Sequence, residues 1–126
     1  MLLLPSAVRI HLAVDAVDMR NSIDGLFGLV QRSLAEDPYS GHLFVFLSKR
    51  RDRVKVLAWD GGGFILFYKR LEAGRFRLPA LKEGATVVHL DATQLAMLLD
   101  GIDVSGVRRP KRWQPPGKGI DKPSGI

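Results

Sequence analysis

Residues 42–71 read HLFVFLSKRRDRVKVLAWDGGGFILFYKRL, and this stretch decides the fold. Its apolar β-formers fall in three runs, Leu43 to Phe46, Val54 to Trp59 and Phe64 to Tyr68, punctuated by a charged turn and a run of glycines. Three strands joined by two tight connections follow. If Asp60 to Gly63 closes the second hairpin, counting back along both arms sets Val54 opposite Lys69 and Arg53 opposite Arg70. Lys69 and Arg70 then lie beside the turn made by Lys49, Arg50, Arg51, Asp52 and Arg53. Two basic runs converge at one end of one small sheet.

The chain around this stretch has 126 residues, enough for one core and too few for two. Residues 1–103 are expected to form a single domain and residues 104–126 a tail. Hydrophobic residues make up 46% and charged residues 25%, a balance that excludes wholesale disorder. The absence of cysteine excludes disulfides and Cys-ligated zinc and fits a reducing compartment. The opening run Met1, Leu2, Leu3, Leu4, Pro5 is too short for a signal-peptide core or a membrane span, so the expectation is a cytoplasmic protein with no membrane contact.

The net charge of +6 is unevenly placed. Residues 49–77 carry nine basic against three acidic side chains and residues 107–126 carry six against one, while the rest of the chain is net negative. Evenly solvated surfaces mix the signs, so this segregation points to a polyanionic partner.

Val8, Ile10, Leu12 and Val14 alternate with Arg9, His11 and Ala13, the pattern of a half-buried strand with His11 on its polar side as a surface histidine. An amphipathic helix comes next, capped by Asp15 or Asp18, with Met19, Ile23, Leu26, Phe27, Val30 and Leu34 as its apolar stripe. Gly25 and Gly28 each cost such a helix roughly 1 kcal/mol against Ala, and close packing on the sheet is the simplest reason for them. After the central strands, Arg75, Phe76, Arg77 and Leu78 alternate as a fourth short strand stopped by Pro79. Residues 86–90 are a last strand. Asp91 with Gln94 then forms a capping-box variant for a second helix whose stripe is Leu95, Leu98, Leu99 and Ile102, ending near Gly101.

The expected class is α+β: an antiparallel β-meander sheet of about five strands, two helices covering one face, and a basic Pro/Gly-rich C-terminal tail. In that tail Arg108, Arg109, Lys111, Arg112 and Trp113 form a basic cluster with one aromatic. Two readings stand for it: an arm that binds nucleic acid, or a solvated segment lying back on the domain.

Searches for catalytic chemistry return little. His11, His42 and His89 are widely separated in sequence, and no HExxH, CxxC or Gly-x-Ser-x-Gly motif is present. Gly117, Lys118, Gly119 lacks the strand and the leading glycine of a phosphate loop. Asp15, Asp18 and Asp24 cluster in sequence, and metal-dependent nucleases require two or three acidic groups gathered around their ions, but capping and a pairing of Asp24 with Arg20 account for them without a metal. The expectation is therefore no catalytic group, metal ligand or cofactor site, with nuclease activity through Asp18 and Asp24 as the weaker alternative.

Several stretches together resemble the small accessory protein called TnpB, of the Orf2-like family, in bacterial insertion sequences that also encode a separate DDE-type transposase. The resemblance runs from Val8 to Trp113. It rests on Asp18, Met19, Arg20 with Asp24, Gly25, Leu26; on Gly41 to Phe46; on Arg53 to Leu57 with Trp59, Asp60, Gly61; on Lys69 to Glu72 with Gly74, Arg75, Phe76; and on Gln94, Leu95, Met97, Leu98, Leu99, Gly101, Ile102. It implies a cytoplasmic protein supporting DNA transposition while the catalytic residues reside in another polypeptide. DNA at the element's ends, the transposase and other element-encoded proteins are the implied partners.

Two functional expectations result. The leading one is a nucleic-acid-binding module in which Lys49, Arg50, Arg51, Arg53, Lys69 and Arg70, with Arg75, Arg77 and the tail residues Arg108, Arg109, Lys111 and Arg112, neutralise phosphates. The other is an adaptor that docks on the transposase through an exposed sheet face bearing Trp59, Phe64 and Tyr68, without contacting DNA.

Overall fold

A computed structural model describes residues 7–101 and 115–116. The tail cations Arg108, Arg109, Lys111 and Arg112 and the expected boundary at residue 104 lie outside the described residues.

The central hairpin forms in the expected register. β3 (Arg53–Asp60) and β4 (Gly63–Arg70) pair antiparallel with Val54 opposite Lys69 and Arg53 opposite Arg70. Gly61 and Gly62 connect them with φ of +58° and +91°. Positive φ at both central positions is the two-residue turn whose twist matches the strands it joins, and glycine adopts it without strain. β2 (Leu43–Leu47) pairs antiparallel with β3, completing a meander.

The rest of the sheet departs from a pure meander. β1 (Ile10–Ala13) lies parallel to β2, because α1 (Ile23–Arg32) carries the chain back to the end of the sheet where β1 began. β5 (Val87–Leu90) pairs antiparallel with β1, and the order across the mixed sheet is β4-β3-β2-β1-β5. The class is α+β, as expected, with the sheet mostly antiparallel. Residues 75–78 do not form the expected fourth strand. Their alternation instead sinks the Phe76 ring, 1% exposed, into the core while both flanking arginines stay outside.

The helices cover opposite faces, not one. Side chains alternate along each strand, so Ile10, Leu12, Leu43, Val45, Leu47, Val54, Val56 and Ala58 share one face, sealed by Phe76 and by Leu95 and Leu98 of α2 (Ala92–Leu99). Ala13, Phe44, Phe46 and Leu57 share the other, sealed by Leu26 and Val30 of α1. Every residue of β2 is buried. An uninterrupted apolar strand such as Leu43 to Leu47 requires cover on both sides, and that is the physical reason one layer of helices does not suffice.

The two helix starts differ. The α2 capping box forms as expected: Gln94 N–H donates to Asp91 Oδ1 at 2.7 Å and Asp91 N–H to Gln94 Oε1 at 2.9 Å. At α1 the N-cap is Ser22, without a side-chain bond, in place of Asp15 or Asp18. The glycines of α1 do not serve the sheet either. A Cβ on Gly25 would meet the Asn21 amide, and one on Gly28 the Arg32 guanidinium.

Candidate nucleic-acid interface

The turn from β2 to β3 is built by its own hydrogen bonds. Ser48 N–H donates to the Arg53 carbonyl at 3.0 Å, Arg51 N–H to the Ser48 carbonyl at 2.9 Å, and Arg53 N–H to Ser48 Oγ at 3.1 Å. Ser48 Oγ also lies 3.2 Å from Asp52 Oδ1. Arg51 holds φ +59°, a left-handed conformation that costs a non-glycine residue about 1 kcal/mol. The bonds of the turn offset that cost and leave Lys49, Arg50 and Arg51 exposed.

A second segment docks against this turn. Leu71 N–H donates to the Asp52 carbonyl at 2.7 Å and Phe76 N–H to the Arg51 carbonyl at 2.6 Å, while the Phe76 ring anchors in the core. Arg75 and Arg77 are thereby held beside the turn. Lys49, Arg50, Arg51, Arg75 and Arg77, floored by Phe76 and Leu78, line a cleft of about 400 Å³. Among the described residues none of these five cations has a carboxylate within 4 Å, since every ion pair found there involves other residues.

The other expected site residues separate from this group. Lys69 Nζ donates to the Leu99 carbonyl at 2.7 Å, a favourable place for a cation at the C-terminal end of α2. Its strand parity puts it on the α2 face. Arg70 faces the other way and bonds Glu72, Nη2 to Oε1 at 2.7 Å and Nε at 3.2 Å, which pushes its already high pKa further up. This engagement also draws Arg70 away from Arg53, the like charge directly opposite it. Arg53 is exposed at the mouth of the turn.

Three features escaped the sequence reading. His11 is 2% exposed, not a surface histidine, and it joins the two histidines it seemed remote from: its ring centroid lies 4.8 Å from His89 and 5.6 Å from His42, and it stacks on Phe44 at 5.1 Å. Neither of its ring nitrogens has a hydrogen-bond partner among the described residues, and Glu36 is 3.7 Å away. Burial holds its pKa below the ordinary value of 6.5, against the pull of Glu36 and with His89, His42 and Arg9 adding to the depression. Lys55 is 7% exposed, and its Nζ donates to the carbonyls of Met19 at 2.7 Å and Asn21 at 2.6 Å, clamping the loop before α1. A lone lysine within an apolar strand was the available signal.

The third concerns the acidic residues. Asp18 binds Arg20 through both oxygens, with a shortest contact of 2.7 Å, and the Arg20 bonds hold its pKa at about 2. Arg20 therefore pairs with Asp18 and not with Asp24. No group of three His, Cys, Asp or Glu side chains among the described residues is arranged to hold a metal ion. No helix there is long and apolar enough to cross a membrane. Trp59 and Phe64 are half-buried: with Phe27 and Tyr39 they form a cluster of mostly edge-to-face rings whose centroids lie 4.9 to 5.7 Å apart.

The segment that supplies the β-sheet, the cleft and both helices falls within residues 8–109, which match the family described as IS66 Orf2 like protein. The chain belongs to that family. Membership makes this Orf2-like protein a transposition-associated accessory protein, and the family is not known as a catalytic one. The chain is 42% identical over 102 residues to "Uncharacterized protein y4jC" of Sinorhizobium fredii (strain NBRC 101917 / NGR234), covering 81% of this chain and 86% of that protein. It is 40% identical over 116 residues to "Uncharacterized protein y4hO" of the same strain, covering 90% and 96%. No solved structure matches the chain.

Proposed function

We propose that this Orf2-like accessory protein binds DNA at the ends of its insertion sequence through the cleft of Lys49, Arg50, Arg51, Arg75 and Arg77, leaving strand chemistry to a separate transposase. One observation carries the reading: five cations from two chain segments share a cleft, with no carboxylate among the described residues within 4 Å of them. Such a group loses little by exchanging water for phosphate oxygens, and the counterions it displaces from DNA supply the driving force. Arg53, exposed at the end of the same turn, and Arg108, Arg109, Lys111 and Arg112 of the C-terminal stretch add further charge. The adaptor reading has thinner support, because two of its three aromatic anchors already pack against Phe27 and Tyr39.

Five phosphate contacts alone give a slope of log K against log salt of about −4.5, or a loss of roughly 500-fold in affinity between 50 and 200 mM salt. Mobility-shift titration of terminal DNA at those two concentrations is the test. Binding that is absent, or insensitive to salt, would remove the proposal.

A further inference from the structure

β4 is the outer strand of the sheet, and nothing among the described residues pairs with its free side. Which backbone groups face outward follows from the ladder. Leu71 N–H bonds the Asp52 carbonyl, and hydrogen-bonded and non-bonded positions alternate along an antiparallel pair. Counting back, Lys69, Phe67, Ile65 and Gly63 direct their N–H and C=O groups to β3, and Phe64, Leu66, Tyr68 and Arg70 direct theirs outward. The side chains of this strand are also open: Ile65 is 41% exposed, Phe67 44% and Tyr68 50%. From Phe64 to Tyr68 the strand has no proline, bulge or charge of the kind that keeps edge strands apart.

We propose that β4 pairs antiparallel with β4 of a second copy about a two-fold axis at Leu66, joining two sheets into one of ten strands. The outward-bonding residues must meet one another, which an axis at any residue from Phe64 to Arg70 allows, whether it passes through a bonded or a non-bonded pair. Placed at Ile65 it sets Phe67 against Gly63, placed at Phe67 it sets Ile65 against Lys69, and an axis further out leaves more of the apolar stretch unpaired. Only Leu66 pairs all five residues from Phe64 to Tyr68 with one another: Phe64 meets Tyr68 of the second copy at bonded positions, and Ile65 meets Phe67 at non-bonded positions, where side chains approach most closely. The charges agree with this register. Asp60, the last residue of β3, stands at the turn end of the hairpin and Lys69 and Arg70 at the other end, so the antiparallel arrangement brings the basic end of each β4 to the turn end of the other copy, which carries Asp60.

Sedimentation velocity on the full chain tests this, with a dimer of twice 14.0 kDa expected at micromolar concentration. Ile65→Lys and Phe67→Glu should each abolish the dimer while keeping the wild-type circular dichroism spectrum. Mixing the two variants should restore it, because the substituted positions face each other across the axis. The chain has no cysteine, so Leu66→Cys should cross-link to itself on oxidation, and Ile65→Cys, displaced from its own copy by about two residues along the strand, should not. A wild-type monomer at every concentration, a dimer that survives both single substitutions, or folded variants that fail to complement would each overturn the proposal.

Discussion

Phe76 ties the stability of the domain to the shape of the cleft, and Phe76→Ala should damage both without removing a charge. The ring is 1% exposed and belongs to the core cluster under α2. Truncating such a phenylalanine costs about 3–5 kcal/mol in lost transfer energy and residual cavity, against a total of about 5–15 kcal/mol for a domain of this size. The loss should therefore appear as a large drop in the urea midpoint. Arg75 and Arg77 are held beside Lys49, Arg50 and Arg51 by this ring and by the Phe76 N–H bond to the Arg51 carbonyl. Under conditions where the variant remains folded, its DNA affinity should fall towards that of an Arg75→Ala/Arg77→Ala protein. Phe76→Leu, which keeps most of the volume, should cost about 1–1.5 kcal/mol and retain most of the binding. A loss of stability below about 1 kcal/mol in Phe76→Ala would contradict a packed anchor, and unchanged affinity in the folded variant would contradict the positioning role.

The remaining predictions concern the fold. Because burial depresses the pKa of His11, the unfolded chain takes up a proton that the folded one resists; stability from this group is complete above about pH 6.5 and declines as pH falls below it. Urea midpoints at neutral and mildly acidic pH should show that decline, His11→Phe should reduce it, and an unchanged pH dependence in the variant would refute the assignment. Asp91→Ala removes the side-chain half of the α2 capping box and should lower stability by about 1 kcal/mol in thermal melts, with a change under a few tenths arguing that the cap is idle. Gly62→Ala forces an L side chain into φ +91° and should destabilise the hairpin by at least roughly 1 kcal/mol, whereas a neutral effect would mean that the turn relaxes freely.

Local and long-range features were unequally legible in the sequence. The hairpin register could be read because the glycine turn and the alternation on both arms pointed to the same pairing, and the α2 cap because its two residues lie three apart. The parallel joint of β1 with β2 was not visible, since nothing in Ile10 to Ala13 states the direction of a neighbour more than 30 residues away. The histidine cluster depends on two such pairings at once. The opposite placement of the helices was encoded in the unbroken apolar run of β2, which the period-2 reading of its neighbours obscured. Within the expected basic group, convergence of the turn with Lys69 and Arg70 followed correctly from register, but their side chains found nearer partners in the Leu99 carbonyl and in Glu72. Arg75 and Arg77 reach the cleft because Phe76 is buried, a tertiary contact that their own alternation disguised as a strand.

The salt dependence of DNA affinity in two double variants tests the central claim most directly. Arg50→Ala/Arg75→Ala removes two cleft cations that have no carboxylate partner among the described residues, whereas Arg20→Ala/Arg70→Ala removes two that bind Asp18 and Glu72. Measured by fluorescence anisotropy on terminal DNA, the first should flatten the slope of log K against log salt by about 1.8, and the second should leave it nearly unchanged. Equal effects of the two pairs, or a wild-type slope near zero, would contradict the account.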